Sequence, residues 1–190
     1  MATVLPDQLR TGRLLLARVR QEDLAEVVRV QCDPEANRHN PAGPPTPAQA
    51  GAQLAEWLDH WARHGFGYWL VTAVEPGTVV GLGGLRRHEL DGTPVLNLYY
   101  RFSPAAWGKG YAPEMAAAAL DWADRALPQL PVVIITQPTN SAAVRVAHKL
   151  GFRPTGETTG DPDLGHGPEL VFRRPGGSPA PGGQESTMVT

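Results

Sequence analysis

Ser103-Pro104-Ala105-Ala106-Trp107-Gly108-Lys109-Gly110-Tyr111-Ala112-Pro113-Glu114 joins a stretch of strand character to a stretch of helical character. Before it, Val95 to Phe102 reads as a strand; after it, Pro113 to Ala126 reads as a helix. Met115, Ala118, Ala119 and Trp122 give that helix an apolar face, while Glu114, Asp121 and Arg125 line a narrow polar one. The β-branched run Val132 to Thr136 follows, bounded by Pro131 and Pro138. A strand, a helix and a strand in that order favour a right-handed crossover to a parallel neighbour. The two glycines let the backbone turn sharply and approach a ligand closely. The first helical turn beyond them presents unpaired N–H groups and the positive end of the helix dipole, which suits a pyrophosphate.

A Gly-Lys-Gly turn by itself also fits an ordinary strand-to-helix loop, so context decides. A P-loop needs Ser or Thr after its lysine, and Gly110 follows Lys109. Gly81-Leu82-Gly83-Gly84 does not complete a dinucleotide fingerprint, because Arg86 stands where the last glycine belongs and no helix follows. Those glycines read instead as strand positions with close neighbours.

Working outward, Tyr68 to Val74, Val79 to Arg87 and Val95 to Phe102 alternate as strands, separated by turns at Pro76-Gly77 and Asp91-Gly92. The sheet is therefore mixed, antiparallel first and parallel later. Thr46, Pro47 and Gln49 form a capping box with proline at the first helical position. Leu54, Trp57, Leu58 and Trp61 follow as one apolar stripe, which predicts burial for both tryptophans. An earlier helix carries Leu24, Val27 and Val28 after the Leu-rich run Arg13 to Val19. Ser141 to Leu150 reads as the last helix, closed by Gly151, with Phe152 to Glu157 and Glu169 to Arg173 as terminal strands. Residues 1–8 are expected to fray, residues 9–174 to form one domain, and residues 175–190, rich in Gly, Pro and Ser, to form a disordered tail.

The chain of 190 residues suits a single domain, and 42% apolar with 19% charged residues is a soluble globular balance. A formal net charge of -2 argues against a dedicated nucleic-acid binder. Cys32 is the only cysteine, which excludes an intramolecular disulfide and reads as a small buried hydrophobe. No apolar run approaches the ~20 residues of a membrane span, and no signal core stands at the N-terminus. A cytoplasmic monomer or homodimer without membrane partners is expected. His60 and His64 lie one helical turn apart without a third ligand, so they read as a surface pair and no metal is expected.

With these residues in place the sequence resembles the GCN5-related N-acetyltransferase (GNAT) superfamily, in its ribosomal-protein N-terminal acetyltransferase-like branch. The resemblance spans roughly Leu9 to Arg174. Trp107, Gly110 and Ala112 occupy the superfamily's phosphate-loop positions, and Trp-Gly-Lys-Gly-Tyr-Ala is typical of the branch. Asn140-Ser141-Ala142-Ala143-Val144, leading to Lys149-Leu150-Gly151-Phe152, looks like the helix that flanks the pantetheine arm. The resemblance implies an α+β (mixed α/β) GNAT fold: a central mixed, mostly antiparallel sheet split into a V and flanked by about four helices. It further implies acetyl-CoA as acyl donor and an amine-bearing acceptor, a peptide N-terminus or a small molecule. Tyr100, Arg101, Phe102 and Ser103 would line the pantetheine. Gly108, Lys109, Gly110, Tyr111 and Ala112, with Trp107, would form the pyrophosphate loop. Asn140 and Ala143 complete the cofactor set. Arg145 and Lys149 could meet the ribose phosphate or simply stabilise a helix C-terminus.

Relatives often carry a glutamate base in a Glu-x-Gly-Tyr pattern, where this chain has Asn97-Leu98-Tyr99-Tyr100. Asparagine cannot accept the proton, which leaves water, or His88 and Glu89, as candidates. Ala143 replaces a common serine, with Ser141 reading as a helix-start residue that satisfies a backbone N–H, and no tyrosine follows Phe152. The catalytic residues are therefore unassigned. A low-pKa amine suits such a site, since an α-amine of pKa ~7.8 is roughly a tenth neutral at pH 7 and a lysine amine about a thousandth. A backbone N–H around Tyr99 to Arg101 would meet the oxyanion. The alternative is a non-catalytic acyl-CoA-binding or regulatory domain. Arg86-Arg87-His88 reads as a solvated edge, and Pro41 to Pro47, Trp57, Trp61 and Trp69 as candidates for the acceptor side.

Overall fold

The computed structural model describes residues 7–158 and 167–175. Met1 to Pro6 and the expected tail from Gly176 lie outside the described residues. The elements follow as β1 (Gln8–Arg10), β2 (Leu14–Arg18), α1 (Leu24–Gln31), α2 (Pro47–His64), β3 (Tyr68–Ala73), β4 (Val79–Leu90), β5 (Thr93–Phe102), α3 (Tyr111–Ala126), β6 (Val132–Thr136), α4 (Ser141–Lys149), β7 (Arg153–Thr158) and β8 (Glu169–Arg173). They build one sheet in the order β1-β2-β3-β4-β5-β6-β8-β7. Every neighbouring pair is antiparallel except β5 and β6, which run parallel as the strand-helix-strand order requires.

Local chemistry explains the element ends. Thr46 Oγ1 accepts from the Gln49 N–H at 3.3 Å and Gln49 Oε1 accepts from the Thr46 N–H at 2.8 Å, so the capping box at the start of α2 forms as expected. Gly65, at φ 72, closes the same helix. Leu54, Trp57 and Trp61 are buried, and the Trp61 indole N–H donates to the Tyr68 carbonyl at 2.8 Å. α3 begins at Tyr111, two residues before Pro113; proline is tolerated in a first turn because its missing N–H has no partner there anyway. Gly83 explains the strand glycines: a Cβ there would lie 2.6 Å from the Tyr99 carbonyl oxygen and 2.8 Å from Met115 Cε.

Alternation along β5 separates the two faces of the sheet. Tyr99 bonds Gln31 of α1 and packs on Tyr68, so Asn97, Tyr99 and Arg101 face α1 and α2. Tyr100 is the register partner of Gly83, beside Met115, and so faces α3. Leu98, Phe102, Val132, Ile134, Met115, Ala119 and Ala147 share the large core beneath α3 and α4. A smaller cluster joins Leu90 of β4, Val95 of β5, Val133 of β6 and Val171 of β8.

Four expectations are corrected. Gln8, at the edge of the residues expected to fray, pairs with Ala17 of β2. Cys32 is half-buried rather than buried, with burial pushing its thiol pKa up and the Arg101 charge opposing. His60 is no surface residue: it is 4% exposed, its Nδ1 lies 2.8 Å from the Phe66 carbonyl and its Nε2 accepts the Arg87 N–H at 3.1 Å. Both ring nitrogens are thereby used by the backbone, and burial pushes its pKa down to about 4. Arg86 is half-buried over the Tyr68 ring, while Arg87, His88 and Glu89 are exposed; all four lie past Gly84, the last β4 residue that pairs with β3.

Candidate functional site

β5 and β6 pair only through Leu96 with Val132 and Asn97 with Val133. Beyond that point β6 remains bonded to β8 up to Thr136, and β5 to β4 up to Phe102. The sheet therefore splits at the carboxyl ends of the two parallel strands, the position where ligands enter open sheets of this kind. Strand alternation fixes which backbone groups face the gap. The Leu96 N–H bonds the Pro131 carbonyl on the β6 side, and the Ser103 N–H bonds Val80 on the β4 side. The N–H groups of Tyr100 and Phe102 therefore point toward β6, past the last paired residues. The Phe102 carbonyl on that side accepts the Trp107 indole N–H at 2.8 Å, which sets the 37% exposed ring at the mouth of the split.

Both chain segments leaving the split lead into helices, so the N-termini of α3 and α4 flank its open end. The turn before α3 has Gly108 at φ 74 and Gly110 at φ 78, both left-handed and both favouring glycine. A Cβ on Gly108 would meet nothing within 4 Å, so the loop opens outward. Among the described residues, no side chain caps α3. Among the described residues, no acceptor bonds the backbone N–H of Gly108, Lys109, Gly110, Tyr111 or Ala112. These successive donors at the positive end of a 16-residue helix form an open anion cradle.

Behind the cradle lies a clamp with no signature in local sequence. Glu114, in the first turn of α3, accepts from Thr11 Oγ1 at 2.6 Å, the Arg13 N–H at 2.8 Å and Arg13 Nε at 2.7 Å. Burial pushes its pKa up, but these bonds and the Arg13 charge outweigh that and hold it below the usual carboxylate value. Arg13 also donates to the Lys109 carbonyl at 2.7 Å.

The other expected residues fall as follows. The Arg101 side chain turns to the α1 face, bonding the Gln31 carbonyl at 3.1 Å and Asn37 Oδ1. Ser103 Oγ accepts from Arg29 at 3.0 Å, and the Arg38 guanidinium stacks 4.6 Å from the Trp107 ring centroid. Lys109 is exposed. Asn140, not Ser141, caps α4: its Oδ1 accepts the Ala143 N–H at 3.1 Å, whereas Ser141 Oγ accepts from Arg145 at 3.2 Å. Asn140 takes this role because it stands at the N-cap itself, where a side-chain oxygen reaches the third helical N–H.

Near the point of splitting, Asn97 Oδ1 and the Tyr100 hydroxyl are buried with no partner among the described residues, and burial pushes the Tyr100 pKa up. His88 and Glu89, the expected alternatives for a base, pair with Val95 and Pro94, on the hairpin side of Asn97 where the sheet is still closed. Trp57, Trp61 and Trp69 are packed in the core. Among the described residues no group of three His, Cys, Asp or Glu side chains could hold a metal, and no helix is long and apolar enough to cross a membrane.

Residues 13–153 match the Acetyltransferase (GNAT) domain family. Among curated proteins, the uncharacterized protein YkkB of Bacillus subtilis strain 168 is 30% identical over 104 residues, covering 53% of this chain and 60% of that protein. The chain thus spans less than two thirds of this relative's length. Among solved structures, an acetyltransferase from Agrobacterium tumefaciens str. C58 is 25% identical with a TM-score of 0.74, covering 91% of this chain and 96% of that one. A ribosomal-protein-S5-alanine acetyltransferase from Vibrio fischeri shares the fold at 16% identity and a TM-score of 0.69, covering 92% of this chain and 99% of that one.

Proposed function

Because the chain belongs to the GNAT acetyltransferase family, we propose that it transfers an acetyl group from acetyl-CoA to a primary amine by direct attack. The acceptor is a protein N-terminal α-amine or a small-molecule amine. The observation that carries this reading is the run of five unbonded N–H groups from Gly108 to Ala112, set at the open end of a split sheet. A diphosphate is the part of coenzyme A that such a cradle satisfies.

The residues divide the work by position. Gly108 to Ala112 bind the diphosphate through their amides. The free edge of β5 from Tyr100 to Ser103 pairs with the pantetheine amides, and Asn140, whose Oδ1 is committed to the α4 cap, offers its remaining amide hydrogens. The Tyr100 N–H, aimed into the gap, is the donor placed to meet the thioester oxyanion. The neutral amine nitrogen attacks the carbonyl carbon and the N–C bond forms. As the C–S bond breaks, its electron pair leaves on sulfur as a thiolate, the amine proton passes to water, and the thiolate takes a proton from water to become the coenzyme A thiol.

Among the described residues, no side chain at the split acts as a strong base. Asn97 cannot, and burial holds the Tyr68 and Tyr100 phenols protonated by pushing their pKa values up. The acceptor must therefore arrive neutral, which favours an α-amine of pKa ~7.8 over a lysine amine of ~10.4.

The test is thiol release from acetyl-CoA with a panel of amines, with products identified by mass. The panel holds a linear peptide, the same peptide with a blocked N-terminus and a free lysine, a small metabolite amine, an aminoglycoside and a polyamine. Release with the α-amine or the small amine is expected. Acetylation of lysine alone overturns the choice of acceptor. Coenzyme A binding without release from any amine supports instead a non-catalytic acyl-CoA-binding domain, the reading that Asn97 favours.

A further inference from the structure

The first turn of α3 carries two competing anions. A carboxylate there is itself stabilised by the helix dipole and competes with any ligand anion for the same positive end. Glu114 does not do so. Oε1 accepts from Thr11 and from the Arg13 N–H, and Oε2 accepts from Arg13 Nε at 2.7 Å and NH2 at 2.6 Å. The carboxylate is saturated by the β1–β2 turn and leaves the amides of Gly108 to Ala112 open.

Arg13 also aims the loop. Its NH1 binds the Lys109 carbonyl at 2.7 Å. In a trans peptide the C=O and N–H point in opposite directions, so this bond turns the Gly110 N–H away from Arg13 and outward. The guanidinium lies 5.1 Å from the Tyr111 ring centroid, and a Cβ on Gly110 would come 3.4 Å from its NH2. Yet the Arg13 side chain is 54% exposed, and exposed ion pairs add little to stability. Two bonds from this exposed side chain to Glu114 and one to the Lys109 carbonyl serve the geometry of the loop and helix start more than the fold.

We infer that Arg13 is a positioning residue for donor binding: by holding Glu114 against the β1–β2 turn, it keeps that carboxylate off the amides that take the coenzyme A diphosphate. The inference rests on the function proposed above. In Arg13→Ala the Oε2 oxygen loses both guanidinium bonds while Thr11 and the backbone N–H of residue 13 still hold Oε1, so an unneutralised carboxylate stays beside the free amides, competes for the positive end of the helix and repels the diphosphate. The Kd for coenzyme A and the KM for acetyl-CoA rise about tenfold, a typical scale for one misplaced charge at a helix N-terminus, while kcat falls far less. Adding Glu114→Gln to Arg13→Ala removes the competing charge and recovers most of the affinity. Acetyl-pantetheine, which lacks the diphosphate, is bound equally by all forms.

The experiment is calorimetric titration of wild type, Arg13→Ala, Glu114→Gln and the double variant with both ligands, alongside steady-state kinetics and urea midpoints. If wild type itself ignores coenzyme A, the proposed function fails. If wild type binds it and Arg13→Ala binds equally well, or if the double variant is no better than Arg13→Ala, the inference about Arg13 is overturned. Should Arg13→Ala fail to fold, Glu114→Gln alone decides: coenzyme A binding at least as tight as wild type supports the inference, and a tenfold loss overturns it.

Discussion

Ala112→Pro removes a single donor from the cradle while sparing the fold. Ala112 is the second residue of α3, already precedes Pro113, and its N–H has no acceptor among the described residues. Deleting that hydrogen breaks no helical bond, because the first turn's amides have no intrahelical partner. Proline is tolerated in a first turn, and the added restriction on Tyr111 keeps the stability change under about 1 kcal/mol. Binding behaves differently. A hydrogen bond to a charged group contributes about 1.5–3 kcal/mol, and every 1.4 kcal/mol is tenfold, so coenzyme A affinity falls by about 10- to 150-fold. The pyrrolidine ring also occupies the space where the N–H met its ligand, which moves the loss toward the upper end. Isothermal titration of both proteins with coenzyme A and with acetyl-pantetheine, beside urea melts, measures all three quantities. Affinity within twofold of wild type at an unchanged urea midpoint refutes the reasoning, as does an equal loss for acetyl-pantetheine.

Gly83→Ala destabilises the protein by about 3 kcal/mol, since its Cβ would lie 2.6 Å from the Tyr99 carbonyl oxygen, a backbone atom that cannot step aside; a urea midpoint equal to wild type contradicts this. His60 makes stability fall with acid. Its folded pKa of about 4 lies below the unfolded value of ~6.5, so the unfolded chain takes the proton first. Its contribution is complete above pH ~6.5 and is lost as pH falls toward 4, by up to about 3 kcal/mol; His60→Gln should show a shallower slope of urea midpoint against pH, and parallel slopes exclude the idea. Asn97→Glu introduces a carboxylate opposite Arg86, whose Nε is buried with no partner among the described residues. General-base catalysis gives about 10²–10⁴-fold at most, and Arg86 lowers the new group's basicity, so kcat/KM for lysine-like amines rises about 100-fold and for α-amines by less. An unchanged ratio between the two amines counts against Asn97 lying at the reacting centre.

Much of the architecture is legible because local chemistry dictates it. The Thr46 capping box, the Val132–Thr136 strand and the turn glycines at Gly108 and Gly110 each follow from a few adjacent residues. The parallel pairing of β5 with β6 follows from element order, whereas the split is legible only through the family resemblance. What stays hidden depends on distant contacts. Glu114 reads as one more charge on a polar helix face until the fold brings Arg13, 101 residues earlier, against it. His60 sits on a helix face that looks solvated, yet β4 supplies the Arg87 N–H and the turn after α2 supplies the Phe66 carbonyl. Ser141 and Asn140 are both acceptable cap residues by type, and only the backbone geometry at 140 chooses between them. β1 is three residues long, too short for any period to announce it.

The central claim, that the amides of Gly108 to Ala112 take up a diphosphate, is tested most directly by nuclear magnetic resonance. In a titration of ¹⁵N-labelled protein with coenzyme A, those five amide protons move downfield together as the ³¹P resonances of the diphosphate shift, and acetyl-pantetheine moves none of them. Saturation by coenzyme A with these amides unmoved, while resonances elsewhere respond, contradicts the account.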